Sequence, residues 1–204
     1  MGDGLFITLE GIDGVGKTTQ ALLLVEYFES LGREVVHTFE PGGTDLGQAI
    51  RRMLLDPKNQ NLAPVTEILL YAADRAQHVE EVVKPALREG KIVICERFID
   101  SSVAYQGYGL GLSVEGILAV NQLAAGGLEP NLTIYLDAEP SAALVRVGGD
   151  RIEQRALEYY ERVRAGFLAI ARENTHRVVV VPADGTKEEV SERVQRLITG
   201  RLFK

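Results

Sequence analysis

Gly11-Ile12-Asp13-Gly14-Val15-Gly16-Lys17-Thr18 fits the pattern G-x-x-x-x-G-K-[ST], a loop built to hold the phosphates of a nucleotide. Its glycines let the backbone curl until successive amide N–H groups face an anion, and a helix expected from about Lys17 adds the positive end of its dipole. Lys17 would reach the β- and γ-phosphates, and the Thr18 hydroxyl would join the coordination of a Mg²⁺ that bridges them. The flanks agree with this reading. Leu5-Phe6-Ile7-Thr8-Leu9 is a short apolar run suited to a buried parallel strand, and Thr19-Gln20-Ala21-Leu22-Leu23-Leu24 continues with helical periodicity. The candidate ATP site is therefore Gly11, Ile12, Asp13, Gly14, Val15, Gly16, Lys17, Thr18 and Thr19.

Outward from the loop, strands and helices alternate. The first helix is expected from about Lys17 to Leu31, stopped by Gly32, and Glu34 to Phe39 reads as a second strand. Glu40-Pro41-Gly42-Gly43-Thr44 opens a loop at its C-terminal end, where open α/β sheets bind ligands, and a short helix follows over Leu46 to Leu55. A long helical pattern begins at Val65 and is interrupted at Pro85, leaving it one bent helix or two; it carries Tyr71 and Arg75 four residues apart on one side. Lys91 to Cys95, Leu132 to Leu136 and Arg177 to Val181 read as three more strands. Helices are expected over Ser113 to Ala125, Ser141 to Val147 and about Ile152 to Glu173, and a last one opens with a capping-box pattern at Thr186 and Glu189. Ser101 to Gly111 mixes hydroxyls, two tyrosines and glycines, too polar for core and too aromatic for an idle linker. Five alternations imply a P-loop NTPase-type α/β sandwich of three layers. Its five-stranded parallel sheet is flanked by helices, in a single domain over residues 1–204 with a short mobile lid at about 146–155.

Composition narrows the partners. The net charge of −7 argues against nonspecific binding to nucleic acid or an anionic membrane, so a small phosphorylated substrate fits better than a polymer. The single cysteine, Cys95, sits in an apolar run and is read as a small hydrophobe; a chain with one cysteine forms no internal disulfide, which suits a reducing cytosol. No basic and long apolar leader opens the sequence, and no stretch approaches the roughly 20 apolar residues that span a bilayer, so a cytoplasmic location is expected. His37, His78 and His176 match no metal-ligand spacing and are read as structural or solvated.

Four further motifs, Glu40-Pro41-Gly42-Gly43-Thr44, Tyr71-Ala72-Ala73-Asp74-Arg75, Glu96-Arg97-Phe98 and Asp100-Ser101-Ser102-Val103-Ala104-Tyr105-Gln106-Gly107, follow the phosphate loop in fixed order. In order and spacing they resemble those of bacterial thymidylate kinases. The resemblance extends through Pro130 to Asp137 and Asp150 to Gln154, nearly the whole chain. It implies transfer of the γ-phosphoryl group of ATP to dTMP, giving dTDP and ADP in dTTP synthesis, with Mg²⁺ as cofactor and a homodimer as the working form.

By the same resemblance Arg51 and Arg97 stand where the family's arginines hold the dTMP phosphate, and a planar guanidinium fork suits that task. Tyr71 occupies the place of a ring stacked on thymine, Arg75 and Gln106 that of residues bonded to the base, with Ser102 assisting. Tyr105 corresponds to the residue that crowds the sugar's 2′ position, and Asp13 to the acid facing the 3′-hydroxyl. Glu40 and Pro41 complete the acceptor set. Thr18 and Glu96 are the expected metal residues, Glu96 standing where aspartate is commoner, and Phe39 replaces a frequent arginine. The phosphate loop itself carries no arginine, so Arg151 is expected to swing over the transferring phosphate as a lid arginine, with Arg146 and Arg155 as substitutes. Lys17, Arg97, Arg151 and Asp13 form the expected catalytic set, and adenine is expected near Ala183 and Asp184. Two rivals remain: another nucleoside monophosphate kinase, which would lack the thymine pocket, and a nucleotide-dependent switch, which would leave Arg51 and Arg97 without an anionic acceptor.

Overall fold

The computed structural model describes residues 4–146 and 149–202. Five parallel strands stand in the order β2-β3-β1-β4-β5: β1 (Leu5–Glu10), β2 (Val35–Phe39), β3 (Ile92–Glu96), β4 (Leu132–Asp137) and β5 (Val178–Pro182). The chain passes from β1 out to β2 at one edge and from β3 across β1 to β4 on the other side, so the point where the strand order reverses lies at the C-terminal end of β1. That is where the phosphate loop hangs.

Strand alternation sorts the core into two layers. Ile7 and Leu9 of β1, with Ile92 and Ile94 of β3, face a large cluster that includes Leu24, Phe28, Phe167 and Ile198. Phe6, Val93 and Cys95 face a smaller one with Val79, Val83 and Phe98. The same period places Glu96 on the face of Ile94, toward α1 (Lys17–Ser30), so β3 delivers a carboxylate beneath the phosphate loop. Cys95 is fully buried and burial pushes its thiol up, in keeping with packing rather than reactivity.

α2 (Asp45–Leu55) starts one residue earlier than expected because Thr44 Oγ1 accepts the Gly47 N–H at 2.9 Å, capping its first turn. α3 (Pro64–His78) continues through a wide π-helical turn at Val79–Val83 into α4 (Lys84–Arg88). Pro85 therefore does not end the helix: the backbone has widened there, with the Lys84 N–H reaching back to the Val79 carbonyl. α6 spans Val114–Ala125 and α7 Pro140–Ala143. α9 (Lys187–Leu202) opens with the expected reciprocal cap, the Thr186 N–H donating to Glu189 at 2.8 Å and the Glu189 N–H to Thr186 Oγ1 at 3.2 Å. Val147 and Gly148, within the expected lid and at the end of the helix expected from Ser141, lie outside the described residues, as does the side chain of Arg146.

Three expectations need correction. Residues 99–109 are helical, α5 (Ile99–Ser102) widening into a π-helical stretch over Val103–Gly109 that is mostly buried. Ser101, Tyr105 and the Gln106 NH₂ donate to Glu10, Asp13 and Glu67 on other elements, and the stretch packs on α8 (Leu157–Glu173), where Gly166 leaves room for Tyr108: a Cβ there would stand 2.7 Å from the ring. The helix expected from Ile152 begins only at Leu157. Asp150 accepts the Ile152 and Glu153 N–H groups at 2.8 and 2.9 Å, holding residues 151–154 as turns. Arg177 is not in β5; its guanidinium bridges both oxygens of buried Asp100 at 2.6 and 2.8 Å.

Candidate active site

The phosphate loop joins β1 to α1 with Gly14 and Gly16 at φ 76° and 99°, a left-handed conformation that side chains resist; open space surrounds the Cβ position of Gly16. Lys17 folds back onto the loop, its Nζ donating to the carbonyls of Gly11 and Ile12 at 3.1 and 2.8 Å. Burial, reinforced by the neighbouring Arg97 charge, pulls its ammonium down to about 7. Thr18 donates to Glu96 at 2.6 Å, and His37 bonds the other Glu96 oxygen at 3.0 Å. Burial works to raise the Glu96 carboxyl, but these two bonds and Lys17 hold it below its ordinary range. Asp13, Gly14, Gly16, Lys17, Thr18 and Thr19 line this cleft together with His37, Phe39 and Glu96. Gly11 bonds Lys17 from behind, and Ile12 and Val15 are buried in the core.

A second cleft opens beside it. All ten acceptor residues expected from the sequence line it: Asp13, Glu40, Pro41, Arg51, Tyr71, Arg75, Arg97, Ser102, Tyr105 and Gln106. They come from the phosphate loop, the loop after β2, α2, α3, the end of β3 and the 99–109 helix. Asp13, Glu40, Arg51 and Arg97 line both clefts, so the two are contiguous.

Arg97 stands at the junction in a left-handed conformation, φ 68°, which a non-glycine residue holds only when its surroundings fix it. Here its N–H bonds to the Leu9 carbonyl at 2.9 Å, and its guanidinium donates to Gly11 O at 3.0 Å and Asp13 Oδ1 at 2.5 Å while lying 4.9 Å over the Tyr105 ring. Tyr105 donates to the other Asp13 oxygen at 2.9 Å. Burial works to raise the Asp13 carboxyl, but Arg97 and Lys17 outweigh it and hold the group below its ordinary range. Arg51 donates to Pro41 O at 2.8 Å and stacks over Phe39, 5.7 Å from its centre, so the phenyl ring at the position often held by arginine steers a neighbouring one.

Deeper in the cleft, Arg75 is 1% exposed and pairs with Glu40 at 2.8 Å, donates to Ser102 at 3.1 Å and to Asn121, and faces the Phe98 ring. Glu40 also accepts from His78 Nδ1 at 2.8 Å, with Thr38 on the far ring nitrogen at 2.7 Å, so both ring nitrogens of buried His78 are engaged by protein groups. Tyr71 is half-buried on the same face of α3, burial and nearby Glu67 pushing its phenol up. Gln106 Nε2 donates to Glu67 Oε1 at 2.9 Å.

Arg151, expected to swing over the transferring phosphate, is seated on Glu67 in this structure. It does not lie above the phosphate loop: it is 5% exposed, its N–H and Nε donate to the Leu55 and Leu54 carbonyls at 3.1 and 2.6 Å, and its NH2 meets Glu67 at 2.7 Å. Arg155, one of its substitutes, meets the same Glu67 oxygen at 2.7 Å. The buried carboxylate holds both cations off the lining of the two clefts. Glu67 was invisible to the sequence reading because an acid in a helix's first turn ordinarily faces water. Tyr160, whose hydroxyl lies 3.5 Å from Asp13 and donates to Ile152 O at 3.0 Å, and Asp150 and Ile152 on the wall were missed as well.

The thymidylate kinase family model matches residues 9–194. A thymidylate kinase of Synechococcus sp. (strain JA-3-3Ab) is 51% identical over 98% of this chain and 97% of its own, and that of Symbiobacterium thermophilum 48% identical over 95% and 92%. The crystal structure of thymidylate kinase from Ehrlichia chaffeensis superimposes with a TM-score of 0.82 at 38% identity, covering 96% of this chain and 99% of the other. With one phosphate loop, two contiguous clefts and this similarity along its length, the chain belongs to the thymidylate kinase family.

Proposed function

We propose that the chain transfers the γ-phosphoryl group of ATP to dTMP, giving dTDP and ADP. The observation that carries this reading is the sharing of Asp13, Glu40, Arg51 and Arg97 between the two clefts, which lets an acceptor phosphate meet a nucleotide held on the phosphate loop. The attacking group is a phosphate oxygen, anionic near neutral pH because a monoester's second pKa is about 6, so no general base is required. The barrier is the repulsion of two polyanions. Lys17 and the loop amides hold the donor, and Arg51 and Arg97 hold the acceptor in line with it.

Thr18 and Glu96 offer two hard oxygen donors side by side in the donor cleft, a set that fits Mg²⁺. When bound, the ion supplies charge neutralisation of the phosphates. Arg75 presents donors and Gln106 an amide to the base, Tyr71 its ring, and Asp13, fixed by Arg97 and Tyr105, faces the sugar. Arg151 reaches the transferring phosphate only by leaving Glu67.

A homodimer is the proposed assembly, in the cytoplasm. Val65 and Leu69 on α3 and Leu118 on α6 are exposed, and these two helices pack against each other, giving one apolar face for a second copy. No helix among the described residues is long and apolar enough to cross a membrane. The test of the function is ADP release from ATP and Mg²⁺ with dTMP, dUMP, dCMP, dGMP or AMP and an acceptor-free blank. Strong preference for dTMP supports the reading; turnover with another monophosphate would displace the base site, and ADP formation indifferent to the acceptor would sink the kinase reading.

A further inference from the structure

Glu67 is a buried carboxylate, 1% exposed, and its two oxygens do different things. Oε1 accepts from the Gln106 side chain at 2.9 Å. Oε2 receives both lid-side arginines, Arg151 and Arg155, each at 2.7 Å. Two guanidinium groups on one oxygen supply the counter-charge without which a buried carboxylate is costly.

An ionised carboxylate only accepts, so the group that Gln106 turns toward it must be the NH₂. The amide's other end then has no choice. The Gln106 side-chain oxygen takes no hydrogen bond from any described residue and is not sealed away from solvent, and Gln106 lines the acceptor cleft, so a carbonyl acceptor is what it offers there. Arg75 on the same wall is a donor only. A wall that pairs one acceptor with one donor complements the N3–H and C4=O of a pyrimidine imide and opposes the N3 and N4–H₂ of cytosine at both points.

We propose that Glu67 is a positioning residue that fixes the Gln106 amide carbonyl-inward and so makes the cleft select an imide base over cytosine. The inference rests on the reading of Arg75 and Gln106 as the base-facing pair. Gln106 touches the base; Glu67 acts through it. Because Oε2 is held by Arg151 and Arg155, the same carboxylate is anchored by the segment expected to move, and the amide is fixed while that segment is seated.

The test compares kcat/KM for dTMP and for dCMP, at saturating ATP and Mg²⁺, in the unaltered chain, Glu67→Gln, Gln106→Ala and the double variant. A glutamine at 67 can present either end of its amide, so Gln106 is free to turn. The dTMP-to-dCMP ratio is expected to fall by about tenfold or more in Glu67→Gln, the scale of one hydrogen bond changed from matched to opposed, mainly through a higher KM for dTMP. Adding Glu67→Gln to Gln106→Ala should lower the ratio no further, because a residue acting through Gln106 has nothing left to orient. An unchanged ratio in Glu67→Gln, with both substrates losing equally, would overturn the proposal and leave Glu67 a structural anchor; so would independent, additive losses. If Gln106→Ala itself leaves the ratio untouched, the base-site reading is what fails, and the proposal with it. Should Glu67→Gln not fold, the side-chain amide protons of Gln106 in the unaltered chain decide: slowed exchange of one proton is expected, and full exposure of both would refute the bond to Glu67.

Discussion

Arg97→Ala isolates the junction between the two clefts. The guanidinium touches Gly11 O, Asp13 Oδ1 and Ser101 Oγ, and its face lies over Tyr105, so it is aimed into the acceptor cleft by four neighbours before any ligand arrives. A phosphate bound there takes charge-assisted bonds from the fork, and truncating one partner of such a pair costs about 2–4 kcal/mol, roughly 30- to 1000-fold in dTMP affinity. The substitution leaves the backbone problem unchanged, since alanine also carries a Cβ and meets the same positive φ of 68°. Asp13 loses its closest cation yet keeps the Tyr105 hydroxyl and the nearby Lys17, so the fold should survive. Calorimetric titration of dTMP should show the loss, while an ATP analogue, held chiefly by the loop amides and Lys17, should change by less than about fivefold. Arg97→Lys should recover part of the affinity, keeping charge but not the fork. A dTMP affinity unchanged in Arg97→Ala would refute the placement of the acceptor phosphate at the junction.

Three other perturbations probe separate parts of the argument. Lys17 is pulled down to about 7 in the folded chain from an ordinary 10.5, so between those values the unfolded chain binds the extra proton and this residue's contribution to stability grows as pH rises. Phosphates restore the charge; ATP binding near pH 8.5 should therefore take up about one proton, read from titrations in two buffers of different ionisation enthalpy, and Lys17→Ala should abolish the uptake. Arg177→Ala strips both bonds from Asp100, whose side chain is 5% exposed, and should cost about 3–5 kcal/mol of stability by thermal or chemical denaturation with the substrate constants little changed. Arg151→Ala should lower kcat more than it raises the KM for dTMP if the arginine leaves Glu67 during transfer, and a defect confined to KM would hold it at Glu67 throughout.

What the sequence discloses about this molecule follows how local each signal is. The strand before Gly11, the glycine loop and the helix after Lys17 are continuous in the chain, so that strand–loop–helix unit is legible, whereas its place at the centre of the sheet appears only in the structure. The ten residues of the acceptor cleft are legible because each sits in a short motif at a strand end or along one helix side, even though six separate segments supply them. Helix 99–109 was not legible: Ser101, Tyr105 and Gln106 look too polar to bury until Glu10, Asp13 and Glu67 appear opposite them. Arg177 failed for the same reason, its partner Asp100 lying 77 residues away. Periodicity registers a face, not the far group that satisfies it.

Those distant partners share one design, which also explains how a chain of net charge −7 presents a cationic site. Arg97 rests on Asp13, Arg75 on Glu40, and Arg151 and Arg155 on Glu67, while Lys17 lies against two carbonyls. Each positive group is thus held in place by an acid or a carbonyl before substrate enters, which limits the entropy lost when phosphate binds. The cost is competition, since an incoming phosphate must draw donors partly away from groups that already use them. Arg97 and Arg51 have N–H groups to spare and line both clefts, so they can hold their protein partner and a phosphate together. Lys17 and Arg151 must change partners. The steps that reorganise charge are therefore assigned to the donor cleft and the 149–155 segment, while Arg75, resting on Glu40 rather than on that segment's partner Glu67, stays fixed as they occur.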